Sequence, residues 1–218
     1  MITKENETVI ILASPFEQKF DKLATKLIPL IPMWMTPNKI TVLGFICGIA
    51  AAISYYLANF HEFWLILAAI FIFLHLLADS LDGSVARERK LTSKCGDFLD
   101  KILDALFYFA LPVGIGVSSY AHFEIVIFSA IITLLHYLLL LLWSLMKNKC
   151  FFSFIGVFEY HLIFLVLTVL TYFWHHYLFK LGNYSLGWFD LILIVVLPLS
   201  FIDFCISSFK LFNELKNS

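Results

Sequence analysis

Six stretches of about twenty apolar residues recur along the chain, each long enough to cross a bilayer as a helix. They lie at about 38–58, 63–83, 98–118, 123–146, 152–174 and 187–209. A backbone in hydrocarbon has to satisfy its own hydrogen bonds, and a helix does so. Only 14% of the residues are charged, where a soluble domain carries about a quarter. The fold class read from this pattern is an all-α integral membrane protein with six transmembrane helices. No repeat, linker or low-complexity tract divides the chain, so residues 1–218 read as a single membrane domain with a six-helix bundle over 38–209. The opening fourteen residues lack the basic start and long apolar core of a cleaved signal.

Lys and Arg distribute unevenly around these stretches. Fourteen of the fifteen fall on one side, and Lys180 alone falls on the other. Basic residues stay in the cytoplasm, so both termini and the 79–104 segment are expected to face it, in a bacterial inner membrane. Net charge is -1, which offers no electrostatic case for nucleic acid. Residues 15–31 put Phe16, Phe20, Leu23, Leu27 and Leu30 on one helical face and Lys19, Lys22 and Lys26 on the other. That fits an interfacial amphipathic helix with lysines toward anionic headgroups of the membrane lipids; an amphipathic helix packed on the spans is the alternative. Thr36 and Pro37 then read as a capping hydroxyl and a first helical residue. Gly44 and Gly48 form a G-x-x-x-G read as close helix packing within the protomer. Cys47, Cys95, Cys150 and Cys205 are too scattered for a zinc site or disulfide framework.

Against this apolar background stand four carboxylates. Asp79 and Asp82 are three residues apart at the end of the second stretch; Asp100 and Asp104 are four apart at the start of the third. Such offsets share a helix face, and a connection of about fifteen residues would let the two helices run antiparallel. An ionised carboxylate near hydrocarbon costs several kcal/mol unless compensated, and four together repel. A hard divalent cation resolves both problems, and oxygen-only ligands suit Mg²⁺, Mn²⁺ or Ca²⁺. Capping and pairing with Arg87, Arg89 and Lys101 is the competing role. A spaced set of four inside spans points instead to function. Arg87 offers a planar fork for a phosphate oxygen, while Gly83, Gly96 and Ala86 keep the adjoining wall shallow. Asp97 reads as a solvent partner of Lys101. Glu88, Arg89, Lys90 and Lys94 read as solvated loop charges, and His75, His136, His175 and His176 as packing or interfacial residues.

The string D79-x2-D82-G83-x2-A86-R87-x8-G96-x3-D100-x3-D104 resembles the signature of the CDP-alcohol phosphatidyltransferase family at all eight fixed positions. The resemblance implies six spans, an interfacial helix before the first, a cytoplasm-facing polar cavity and a homodimer. It further implies that Asp79, Asp82 and Asp100 ligate two metal ions, Mg²⁺ or Mn²⁺, with Asp100 bridging them. Asp104 would help hold one ion and act as the catalytic general base. Gly83, Ala86, Arg87 and Gly96, with Asp79, would form the nucleotide site. Pro37-Asn38-x-x-Thr41 is similar to the family's entry to its first span, so Asn38 and Thr41 would reach the diphosphate. The implied reaction transfers a phosphatidyl group from CDP-diacylglycerol to the hydroxyl of a small alcohol and releases CMP.

The acceptor is read from the later spans. An alcohol carrying its own phosphate calls for arginines, and none lies beyond Arg89; Lys147 and Lys149 are the substitutes. Glu159, His161 and Asp203, amid Phe154, Phe158, Tyr160 and Phe204, would instead suit a cationic headgroup. PMWMTPNKIT and FEYH also look like stretches of choline and ethanolamine phosphotransferases, although those enzymes carry a histidine where this chain has Lys101. That lysine is usual in bacterial relatives that consume CDP-diacylglycerol. An amino alcohol such as choline is therefore expected, with glycerol 3-phosphate and a phosphatidylglycerophosphate synthase as the alternative. Pairing of Glu159 and Asp203 with His161, Lys147 or Lys149 is the plainer role. A six-span transporter would place polar residues at mid-membrane, and an inactive scaffold would have lost an aspartate.

Overall fold

The structure is a computed structural model that describes residues 15–147, 157–174, 178–181 and 184–216. Helix α1 (Pro15–Ala24) leads through a 3-10 segment (Thr25–Leu30) into α2 (Pro37–Ala58), α3 (Phe63–Glu88), α4 (Lys94–Val117) and α5 (Phe123–Lys147). Helix α6 (Val157–Phe173), strands β1 (Phe179–Leu181) and β2 (Tyr184–Leu186), and α7 (Trp188–Lys216) follow. Among the described residues, four helices are long and apolar enough to cross a membrane: α2, α3, residues Phe123–Met146 of α5, and α7. Phe158–Phe173 forms a shorter apolar helix, and α4 carries Asp97, Asp100, Lys101 and Asp104 in its first three turns. The chain is an integral membrane protein.

Three boundaries depart from the hydropathy pattern, each for a packing reason. Helix α3 runs to Glu88 because Leu81 and Val85 still find apolar partners in Ala24, Ile28 and Ile40. Ser93 caps α4, its hydroxyl accepting from the Gly96 amide at 3.0 Å. The connection is therefore residues 89–93 rather than about fifteen. Helix α7 continues past 209 because Leu211 is buried against Leu139 and Trp143. A short antiparallel hairpin, with Phe179 opposite Leu186 and Leu181 opposite Tyr184, replaces the plain connector expected before α7. Its residues alternate apolar and polar, which suits a strand facing a wet surface.

The seam of the bundle is α2 against α3 and α4, and small residues allow it. A Cβ on Gly44 would lie 2.7 Å from Ala78 Cβ, and one on Gly48 would lie 2.3 Å from the Phe107 ring. The G-x-x-x-G face is thus spent inside the protomer. Phe20 of α1 packs on Phe73 and Phe158 at 6.3 and 5.5 Å, while Lys19, Lys22 and Lys26 are exposed beside Leu23, Leu27 and Leu30. Thr36 takes the extended N-cap backbone before Pro37, but its hydroxyl makes no capping bond.

Arg89 is not a solvated loop charge. Its guanidinium donates to the carbonyls of Ile31, Met35 and Pro32 at 2.6, 2.8 and 3.3 Å. It thereby ties the segment before α2 to the end of α3. The same end closes with the Leu91 amide on Ala86 O and the Lys90 amide on Arg87 O. Lys90 sits at φ 56, where glycine is the usual occupant of this cap. Lys90→Gly should raise stability by about 1 kcal/mol, read as a higher midpoint in a detergent thermal melt. An unchanged or lower midpoint would show that the cap carries no strain.

Candidate active site

Helices α3 and α4 bring their carboxylates together across a short turn. One oxygen from each of Asp79, Asp100 and Asp104 lies within 4.8 Å of the others. Asp82 and Asp100 line the same two cavities, so Asp100 belongs to both groups. Asp82 is buried, and its carboxylate accepts from the Thr41 hydroxyl at 2.7 Å and from the Gly83 amide at 2.5 Å. These bonds fix one carboxylate and dock α2 onto α3. The donor set is oxygen only and closely spaced, which fits hard divalent cations.

Two cavities meet at this cluster. The larger holds about 370 Å³, and Pro37, Asn38, Gly83, Ala86, Arg87, Gly96 and Asp97 are among its lining residues. The smaller has room of about 10 Å³ between Gly44, Phe45, His75, Asp79, Leu103 and Asp104. Thr41, Asp82 and Asp100 line both. The first is an open cleft sized for a nucleotide fragment; the second admits one water-sized species.

Glycines shape the cleft. A Cβ on Gly96 would lie 2.9 Å from Asn38 Oδ1, and one on Gly83 would lie 3.2 Å from the Arg87 guanidinium. Arg87 is exposed at the cleft and donates to Ser84 Oγ at 3.2 Å. Lys101 pairs with Asp97, as the i,i+4 spacing predicts.

Deeper positions separate from this group. Among the described residues, neither cavity is lined by Glu159, His161 or Asp203. Glu159 is half-buried in the first turn of α6. His161 is buried, stacked on Phe107 at 5.1 Å with the His75 and Tyr108 rings each 5.3 Å away. Asp203 lies 3.4 Å from Nε2 of His136, a residue read from sequence as packing. Lys147 closes α5; Lys149, Phe154, His175 and His176 lie outside the described residues. Sequence reading assigned no site role to Ser93, Ser84 or Tyr137, whose hydroxyl donates to Lys101 O at 2.9 Å.

The family model described as CDP-alcohol phosphatidyltransferase matches residues 34–202. The chain belongs to this family. It is 32% identical over 96 residues to the archaetidylinositol phosphate synthase of Pyrococcus horikoshii, covering 44% of this chain and 48% of that protein. It is also 32% identical over 101 residues to human cholinephosphotransferase 1, covering 44% of this chain and 25% of the relative. The chain thus matches less than half the length of these relatives. The family fold extends further. The phosphatidylinositol phosphate synthase of Mycobacterium tuberculosis with CDP-DAG bound superposes with a TM-score of 0.62 at 18% identity, over 87% of this chain and 92% of that one. The same protein in complex with manganese and citrate gives 0.66 at 17% identity, over 88% of each chain.

Proposed function

We propose that this chain is a metal-dependent phospholipid synthase that moves a phosphatidyl group from CDP-diacylglycerol to the hydroxyl of a small amino alcohol, releasing CMP. The observation that carries the reading is the carboxylate cluster standing between a nucleotide-sized cleft and a water-sized cavity, with Asp82 and Asp100 on both walls. Six spans, an interfacial α1, a cytoplasmic site and termini, and a homodimer of single-domain protomers complete the proposal.

In this reading Asn38, Gly83, Ala86, Gly96 and Asp79 seat the CDP group, and Thr41 steadies Asp82 beside the diphosphate. Arg87 clamps a phosphate oxygen through its fork. Asp79, Asp82, Asp100 and Asp104 would hold two Mg²⁺ or Mn²⁺ ions, which when bound supply Lewis-acid stabilisation of charge on the diphosphate. The acceptor hydroxyl oxygen forms a bond to the phosphorus nearest the lipid, the bond from that phosphorus to the CMP oxygen breaks, and Asp104 takes the hydroxyl proton. Alignment in a site shielded from bulk water supplies much of the remaining acceleration.

Charge supports an amino alcohol. Lys101 is engaged by Asp97 and Arg89 by backbone carbonyls, which leaves Arg87 for the diphosphate and no second guanidinium for a phosphate on the acceptor. Glu159 and Asp203 would attract the cationic group from α6 and α7. The family membership of inositol phosphate enzymes favours the second reading, a phosphorylated polyol such as glycerol 3-phosphate, with Lys147 and Lys149 as its anchors. Purified protein with CDP-diacylglycerol and Mg²⁺ or Mn²⁺ should release CMP when choline or a related amino alcohol is added. Release only with glycerol 3-phosphate would select the second reading, and no release across a broad alcohol panel would overturn both.

A further inference from the structure

Four residues before Asp79, and so on the same face of α3, stands His75. It is 4% exposed. Its ring packs on Phe107 with centroids 3.6 Å apart. Nδ1 lies 3.0 Å from the carbonyl oxygen of Gly44. A carbonyl only accepts, so Nδ1 carries its hydrogen, and in the neutral ring Nε2 presents a lone pair. That Nε2 is sealed from solvent and has no hydrogen-bond partner among the described residues. Leaving a buried acceptor unpaired is destabilising. Burial among hydrocarbon would be better served by a leucine unless the lone pair has work to do. The residue lines the small cavity with Asp79, Asp82, Asp100 and Asp104.

We infer that His75 is a positioning residue for the transfer reaction, its Nε2 accepting a hydrogen bond from an O–H group held in the small cavity behind the carboxylates. The inference rests on the proposed function for the identity of that group, which is either a water on a bound divalent cation or the hydroxyl of the acceptor alcohol. Both present the same chemistry, an oxygen polarised by its surroundings with a hydrogen to donate. The Gly44 bond sets the ring's orientation, and the Phe107 stack stops it turning. His75 therefore offers one fixed acceptor at the floor of the site. The role extends the functional face of α3 one turn deeper than Asp79, and it needs no change in the ring's protonation.

Two substitutions separate this role from packing. In His75→Asn the amide nitrogen replaces Nδ1 and keeps the Gly44 bond, but nothing reaches the Nε2 position. In His75→Gln the longer amide places an acceptor near Nε2 and gives up the Gly44 bond. Mn²⁺ affinity is measured by electron paramagnetic resonance on the full chain without substrate, and the acceptor KM by CMP release. His75→Asn should weaken Mn²⁺ binding about tenfold, the usual effect of losing an outer partner of a metal site, if a metal-bound water is the donor. It should instead raise the acceptor KM by a similar factor at unchanged Mn²⁺ affinity if the donor is the alcohol. His75→Gln should stay within about threefold of wild type in both. Wild-type values for His75→Asn, or impairment of His75→Gln equal to that of His75→Asn, would overturn the inference. A wild-type protein that releases no CMP with any alcohol defeats the proposed function, while the Mn²⁺ comparison still decides the role of His75.

Discussion

Asp100→Asn should lower CMP release about 10⁴-fold, the equivalent of several kcal/mol of lost charge stabilisation at the diphosphate. It should do so without unfolding the protein. Asp100 is grouped with Asp79 and Asp104, and with Asp82 it lines both cavities. No other residue of the cluster has all of these relations. Asparagine keeps the volume and one oxygen, so packing of α3 on α4 is preserved while the shared ligand loses its charge. Carboxylates crowded at this distance repel one another when no cation lies between them. Removing one charge should therefore leave the melting midpoint in EDTA equal to or above that of the wild type, the reverse of the effect on turnover. Such opposite signs mark a site held together against its own repulsion for the sake of function. Glu88→Gln is the control: Glu88 is exposed at the end of α3 and lines neither cavity, so turnover should stay within about threefold. A CMP-release assay on the two variants, with melts in EDTA, checks both statements. Retained activity in Asp100→Asn would remove the cluster from the mechanism.

The carboxylate motif was legible because helical periodicity decides which side chains share a face, and the residues fell at offsets of three and four. The α2 start at Pro37 and the paired placement of Asp97 with Lys101 followed from equally local rules. What sequence could not show are relations across the bundle. Arg89 resembled its neighbours Glu88 and Lys90 in every local respect, and only the return of residues 31–35 over the end of α3 supplies the three carbonyls it binds. Asp203 finds His136 because α7 packs on α5, a choice that hydropathy does not encode. The helix ends at Glu88, Lys94 and Lys216 lie a turn or more beyond the apolar stretches because apolar length measures the hydrocarbon core, and helices continue past it wherever a neighbour offers cover. His75 carried a readable signal, one turn before Asp79, but a lone histidine among leucines has the same signature as a packing residue. Its unpaired nitrogen is visible only once Gly44 is seen to hold the other one.

Gly114→Ala should destabilise the bundle by about 3 kcal/mol, the upper part of the range for overpacking. A Cβ there would stand 2.5, 2.7 and 2.9 Å from the carbonyl oxygen, Cα and carbonyl carbon of Ala52. All three are backbone atoms, so no side-chain rotation relieves the contact. Helix α2 is also held against α3, where a Cβ on Gly44 would lie 2.7 Å from Ala78, so it is not free to shift. The strain has to open the α2–α4 seam at the level of Gly114. Lower folded yield and a depressed melting midpoint in detergent are the expected readings; a wild-type midpoint would show that the seam yields. Gly83→Ala supplies the contrast. Its added methyl meets only the flexible end of Arg87, at 3.2 Å, so the fold should tolerate it while the guanidinium is pushed within the cleft. The first glycine is thus required by the packing of two helices and the second by the space a nucleotide needs. A melt that falls for Gly114→Ala alone, beside CDP binding that weakens for Gly83→Ala alone, would separate the scaffold from the site it holds.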